Sequence, residues 1–182
     1  GVQTCALPIS FHQEIECMSC GLLTTSMSTN YIHPLPIISS KTSTTVPQLM
    51  ESSQQWQQLD NTVCRQCSGT ARRHRIQLSS VSGRAMCLQL LLWEAATNNA
   101  VVKKPVQLTG VPRSVVTTRN GQRYKFVGCV RHVGDTQHSG HYTALVKHGD
   151  KWLNCNDETL TVQCWPRRIA DIYLLFYELV AA

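Results

Sequence analysis

Apolar positions follow a helical period once in the first half of the chain and a strand period repeatedly in the second. Between Val46 and Asp60, Leu49, Met50, Trp56 and Leu59 fall on one broad face with Pro47 near the start, which predicts a helix. Before it, Tyr31 to Ile38 alternates weakly around two prolines, which suits a short edge strand, and Ser39 to Thr45 is a Ser/Thr-rich connector. Ala85 to Trp93 is an almost continuous apolar run, the pattern of a strand buried on both faces. Thr97 to Ala100, with Asn98-Asn99, reads as a turn. In Tyr124 to Arg131, polar or small residues are interleaved with Phe126, Val127 and Val130. His141 to Lys147 then alternates, setting Tyr142, Ala144 and Val146 opposite Thr143, Leu145 and Lys147. Trp152 to Cys155 and Leu160 to Cys164 are two further short strands, and the aromatic run Ile172 to Leu179 predicts a central closing strand. The fold class expected is α+β, with a mostly antiparallel sheet in the second half and no internal repeat.

Composition narrows the partners. Of 182 residues, 42% are apolar and 15% charged, which is enough to build a core and unlike a disordered chain. The net charge of +6 is not gathered into one block; only Arg72, Arg73, His74 and Arg75 cluster, as on a solvated strand face, so no nucleic-acid partner is expected. No apolar run approaches the roughly 18 residues of a transmembrane helix, and no basic flank precedes an apolar stretch at the N-terminus. No membrane association is expected, and the setting expected is intracellular, in cytoplasm and/or nucleus. Residues 1–10, Gly-Val-Gln-Thr-Cys-Ala-Leu-Pro-Ile-Ser, match the translation of a sequencing-library adapter and are expected to be non-native sequence outside the fold.

The nine cysteines are odd in number, and four of them form two Cys-x-x-Cys pairs, Cys17 with Cys20 and Cys64 with Cys67, separated by 43 residues. Two thiolates three apart on a tight turn share one ion, and two such knuckles complete the tetrahedron that zinc prefers. Spare thiols without a metal are the plainer alternative, and redox activity would want a βαβ context that the pattern lacks. Four cysteine ligands leave no open coordination position, so the metal expected is structural zinc. Cys87, Cys129, Cys155 and Cys164 lie in strand patterns and read as core thiols.

The stretch richest in chemistry runs from Tyr124 to Ala144. A strand enters a polar loop bracketed by Gly134 and Gly140, and a second strand opens on His141; farther on, Asn156 and Asp157 end another strand. A cysteine protease needs a histidine to take the thiol proton and an Asn or Asp that holds the ring's tautomer through Nδ1–H. Tyr124-Lys125-Phe126, His132-Val133-Gly134, Gly140-His141-Tyr142, Trp152, Asn156-Asp157 and Tyr173-Leu174-Leu175-Phe176-Tyr177, in this order, resemble the histidine box of the ubiquitin-specific proteases. The two knuckles resemble that family's zinc-bearing fingers.

The resemblance implies a partial papain-like fold. Residues 11–85 would be the fingers and 86–180 an antiparallel palm, with the thumb and its nucleophile missing. It implies His141 as general base, Asn156 as its orienting partner with Asp157 a second candidate, and Gly140 and Tyr142 at the substrate channel. Ubiquitin and ubiquitinated proteins are the partners implied. His132 matches a non-catalytic histidine, and it and His138 are expected to be structural or solvent-facing. No cysteine follows the family's Asn-x-Gly-Asn-Thr-Cys-type segment, and Trp93-Glu94 stands where the family commonly has Arg-Phe. The expectation is therefore the C-terminal part of a deubiquitinase, inactive in isolation. The alternative is a catalytically inactive ubiquitin-binding module, and the two are told apart by the presence of a nucleophile box upstream.

Overall fold

A computed structural model describes residues 8–37, 43–60, 62–95, 101–104, 106–137, 139–167 and 169–181. The turn expected at Thr97 to Ala100, most of the connector after Ser39, and His138 lie outside them. The first half contains β1 (Ile9–Cys17), β2 (Leu23–Asn30), β3 (Ile32–Pro36), β4 (Ser43–Thr44), α1 (Val46–Ser53), β5 (Gln57–Leu59), β6 (Arg72–Val81) and β7 (Ala85–Leu91). The second contains β8 (Trp93–Ala95), β9 (Val101–Lys103), β10 (Gln107–Leu108), a 3-10 turn (Val111–Arg113), β11 (Val115–Thr117), β12 (Arg123–Val133), β13 (His141–His148), β14 (Lys151–Asn156), β15 (Thr159–Gln163) and β16 (Ile172–Leu179). The α+β expectation thus becomes a mostly β structure with one short helix among the described residues.

That helix begins where the sequence says but ends early. Thr45 caps it: its hydroxyl accepts from the Gln48 backbone N–H at 3.3 Å while Gln48 Oε1 accepts from the Thr45 N–H at 3.0 Å. Val46, Leu49 and Met50 bury one face. Beyond Ser53 the period breaks, because Trp56 lies beneath the guanidinium groups of Arg73 and Arg75, 4.7 and 4.6 Å from its ring centroid, and Leu59 belongs to β5. A helix to Asp60 would pull Trp56 away from both cations.

Two sheets carry the fold. In the smaller, the order is β2-β1-β6-β5, and in the larger it is β15-β14-β13-β12-β16-β7-β3 with β11 beside β12. The smaller sheet is laced by the cross-strand pairs Arg73–Glu16, at 2.7 Å, and Arg75–Glu14; the Arg75 contact holds the Glu14 carboxyl below the usual carboxylate range. The fold takes in the last two of the ten residues set apart above, since Ile9 and Ser10 pair with Val81 and Ser80 and Ile9 is fully buried.

In the larger sheet, β16 is central as expected, between β12 and β7. β3 is an edge strand running parallel to β7, the position its prolines permit. β7 departs from expectation: Met86, Leu88 and Leu90 are buried, but Ala85 and Leu91 are exposed and Gln89 donates to the Tyr173 hydroxyl at 2.6 Å. Only one of its faces meets the core. β12 buries Tyr124 and Phe126, then Cys129 and His132, because its register with β16 shifts twice, between Phe126 and Gly128 and between Val130 and Arg131.

One core residue sets a pH limit. His33, on β3, is 3% exposed, stacks on Phe11 at 5.1 Å, and neither ring nitrogen has a hydrogen-bond partner. Burial pushes its pKa down to about 4, so the folded protein holds the ring neutral. The unfolded chain, with an ordinary pKa near 6.5, binds the proton first as pH falls. Stability contributed by neutral His33 is therefore complete above about pH 6.5 and is lost between there and about pH 4, amounting to about 3 kcal/mol. Urea midpoints at pH 7 and pH 4.5 should diverge strongly in the parent and less in His33→Leu; equal divergence would remove the assignment.

Candidate functional site

β13 opens on His141 and β14, its antiparallel neighbour, closes on Asn156, so strand pairing alone brings the two side chains to one end of the sheet. His141 Nε2 lies 2.5 Å from Asn156 Oδ1. The amide oxygen accepts, so Nε2 carries a proton, and in the neutral ring the lone pair is then on Nδ1. The ring is therefore held through Nε2–H rather than through the Nδ1–H of the usual scheme. Asp157 Oδ2 is 3.9 Å from the same nitrogen, on a side chain 78% exposed. Asp157 has φ +49° and starts the two-residue turn between Asn156 and Thr159, which carries its carboxylate off the strand line. Among the described residues the polar partners of His141 are these two, and no thiol is among them.

The loop between β12 and β13 is closed by its glycines. A Cβ on Gly134 would meet the Ser139 carbonyl oxygen at 2.8 Å, and one on Gly140 would overlap the His132 ring and meet the Val133 oxygen at 2.9 Å. Gly140 thus lets the backbone lie against the protein's own His132. That ring is buried, edge-on to Trp93 at 5.0 Å and to Tyr142 at 4.9 Å, a structural position as expected. Tyr142 keeps half its surface exposed beside His141. Lys103 and Asp171, which no motif flagged, stand directly behind the loop: Lys103 Nζ reaches Asp171 Oδ1 at 2.6 Å and the carbonyls of Gly134 and His132 at 2.7 and 2.9 Å.

At the far end of the smaller sheet, Cys17, Cys20, Cys64 and Cys67 converge, their sulfurs all within 4.8 Å of one another. Cys17 and Cys67 are 3.6 Å apart, Cys20 and Cys64 3.7 Å. A tetrahedron with metal–sulfur bonds of about 2.3 Å has edges of about 3.8 Å, so the four thiols fit a zinc ion. The two knuckles are built alike: Gly21 N–H donates to the Cys17 carbonyl and Ser68 N–H to that of Cys64, each at 2.9 Å. Backbone N–H groups aimed at sulfur favour thiolates. The Cys20 N–H leads in bringing Cys17 down to about 6, and the Cys67 and Gln66 N–H groups lower Cys64. Cys20 is favoured by the Leu22 N–H, but burial and the three neighbouring thiols push it up to about 12.

Comparison with known proteins gives the family. The family model of the ubiquitin carboxyl-terminal hydrolases matches residues 40–177. The chain belongs to the ubiquitin carboxyl-terminal hydrolase family. Its fold is shared with solved SAGA DUB modules containing Ubp8. The Ubp8/Sgf11/Sus1/Sgf73 module bound to monoubiquitin superposes with a TM-score of 0.78 at 20% identity, over 97% of this chain and 41% of that one. A yeast SAGA DUB module gives 0.80 at 21% identity over 97% and 42%, and the module bound to ubiquitin aldehyde 0.77 at 20% over 97% and 42%. The chain thus spans about two fifths of the length of these structures. No curated protein matches it in sequence. Among the described residues no helix is long and apolar enough to cross a membrane.

Proposed function

We propose that the chain is the C-terminal part of a thiol-dependent deubiquitinase, with His141 as general base, Asn156 as the residue holding its ring, and zinc bound by Cys17, Cys20, Cys64 and Cys67. The observation that carries this reading is the 2.5 Å contact between His141 Nε2 and Asn156 Oδ1, which leaves Nδ1 free to take a proton. In the reaction the thiol proton passes to Nδ1 and the thiolate sulfur attacks the isopeptide carbonyl after ubiquitin's last glycine. The Nδ1 proton then goes to the departing lysine amine. Water, deprotonated by the same nitrogen, hydrolyses the thioester and restores the thiol. The nucleophile belongs to the family's Asn-x-Gly-Asn-Thr-Cys-type segment, which these 182 residues do not contain.

In this reading the smaller sheet is the fingers and the larger the palm, with Gly140 and Tyr142 bordering the channel for the ubiquitin tail. The fold shared with modules bound to monoubiquitin and to ubiquitin aldehyde supports ubiquitin as the partner. An intracellular setting follows from that substrate. Bound zinc would cross-link the two knuckles, and its four sulfur ligands leave it no place for substrate.

The isolated chain should release no fluorophore from ubiquitin labelled at its C-terminal carboxyl, whereas a chain extended to include the nucleophile segment should. Turnover by the isolated chain that disappears in His141→Ala would overturn the division of labour.

A further inference from the structure

We propose that Lys103 is a positioning residue for His141: its ammonium fixes the end of β12 on which the histidine strand is registered. The proposal rests on the reading of His141 as the base. A lysine ammonium has three N–H donors and no acceptor, and Lys103 spends one on each of three oxygens, at 2.6, 2.7 and 2.9 Å. Its side chain is only 14% exposed, so the charge depends on those partners. Two of them, the His132 and Gly134 carbonyls, flank Val133, the residue paired with His141 across the β12–β13 ladder.

This end of β12 pairs with β13 along one side. Its pairing with β16 stops at Arg131 and Ile172, so beyond that point the other side of the strand faces Lys103 and Asp171 instead of a ladder. Asp171 works from both ends: its backbone oxygen accepts the His132 N–H at 2.8 Å and its carboxylate holds the lysine. It does so at φ +63°, where its backbone has left the strand conformation. The loop that follows is already closed tightly on itself at Gly134 and Gly140. Displacement of Gly134 is therefore transmitted to the strand that starts at His141, and from there to the Nε2–Asn156 bond.

A structural lysine would lower stability everywhere, whereas a positioning lysine changes the His141 ring first. Long-range proton–nitrogen spectra of the ¹⁵N-labelled 182-residue chain distinguish ring protonation at Nδ1 from that at Nε2. In the parent, His141 should show a single Nε2–H form. In Lys103→Met that resonance should be lost to averaging, and the amides of Val133 and His141 should exchange roughly tenfold to a hundredfold faster. Amides of β1 and β6 should keep their rates. Unchanged His141 signals, or acceleration spread evenly over both sheets, would overturn the proposal. Should Lys103→Met fail to fold, Asp171→Asn, which keeps an acceptor but removes the charge, decides by the same two readings. A parent ring that already averages between forms overturns the His141–Asn156 assignment instead, and Lys103 is then judged by the amide exchange.

Discussion

Cys64→Ser is expected to abolish zinc binding and melt the knuckle end of the smaller sheet. The buried apolar residues of that sheet, Ile9, Phe11, Leu78 and Val81, lie at its other end, and β2 is exposed along its whole length. Around the knuckles the contributions come from Ile15, Leu22 and the cysteines themselves, and the 330 Å³ cavity beside them is lined by Thr24, Arg65 and Arg72 as well. Apolar burial therefore cannot hold this end together. A four-thiolate zinc site supplies on the order of 10–16 kcal/mol of apparent binding free energy, comparable with or larger than the roughly 5–15 kcal/mol that stabilises a whole domain. Protein purified without chelator should contain one zinc per chain. Cys64→Ser, or chelation, should remove it and expose the amides of Arg72 to Ile76 while the β12–β16 ladder stays protected. A metal-free preparation with the same melting temperature would remove the finger assignment.

The legible part of the fold is the part bounded by local turn signals. β13, β14 and β15 are joined by short turns, one at Gly149 with φ +60° and one at Asp157, so the punctuation marks their ends, although Leu145 is the one buried residue of β13 and β15 is almost wholly exposed. β12 is harder to read because its register with β16 shifts twice and its buried set passes from Phe126 to Cys129 and His132. β2, Leu23–Asn30, is exposed on both faces and has no apolar alternation to show; pairing with β1 alone makes it a strand. Trp56 sits at a helical spacing from Leu49, yet its partners are two guanidinium groups of β6, a match that no window along the chain contains. For the same reason Arg73 and Arg75, read as a solvated face, prove half-buried against Trp56, Glu14 and Glu16. At the site, the residue types and order around His141 were visible. The bonded nitrogen was not, since it depends on how the ring is turned at the head of β13. Lys103 and Asp171 are 68 residues apart and carry no motif; only the fold brings them together.

The geometry also ranks the three polar residues of the site by the turnover each should cost. In a chain extended to include the nucleophile, His141→Ala removes the imidazole that takes the thiol proton, and kcat should fall by about 10²–10⁴-fold. Asn156→Ala deletes a hydrogen bond of 2.5 Å and lets the ring rotate; a loss of about 1–3 kcal/mol corresponds to roughly 5- to 150-fold in kcat, with KM nearly unchanged because the residue orients the base rather than the substrate. Asp157→Ala removes a carboxylate 3.9 Å away that is 78% exposed, and water screens it. Its effect should stay below about fivefold and shrink with added salt. Asp157→Ala costing more than Asn156→Ala would reverse the assignment, because a displaced Asn156 would then be a bystander and the carboxylate the group that turns the ring.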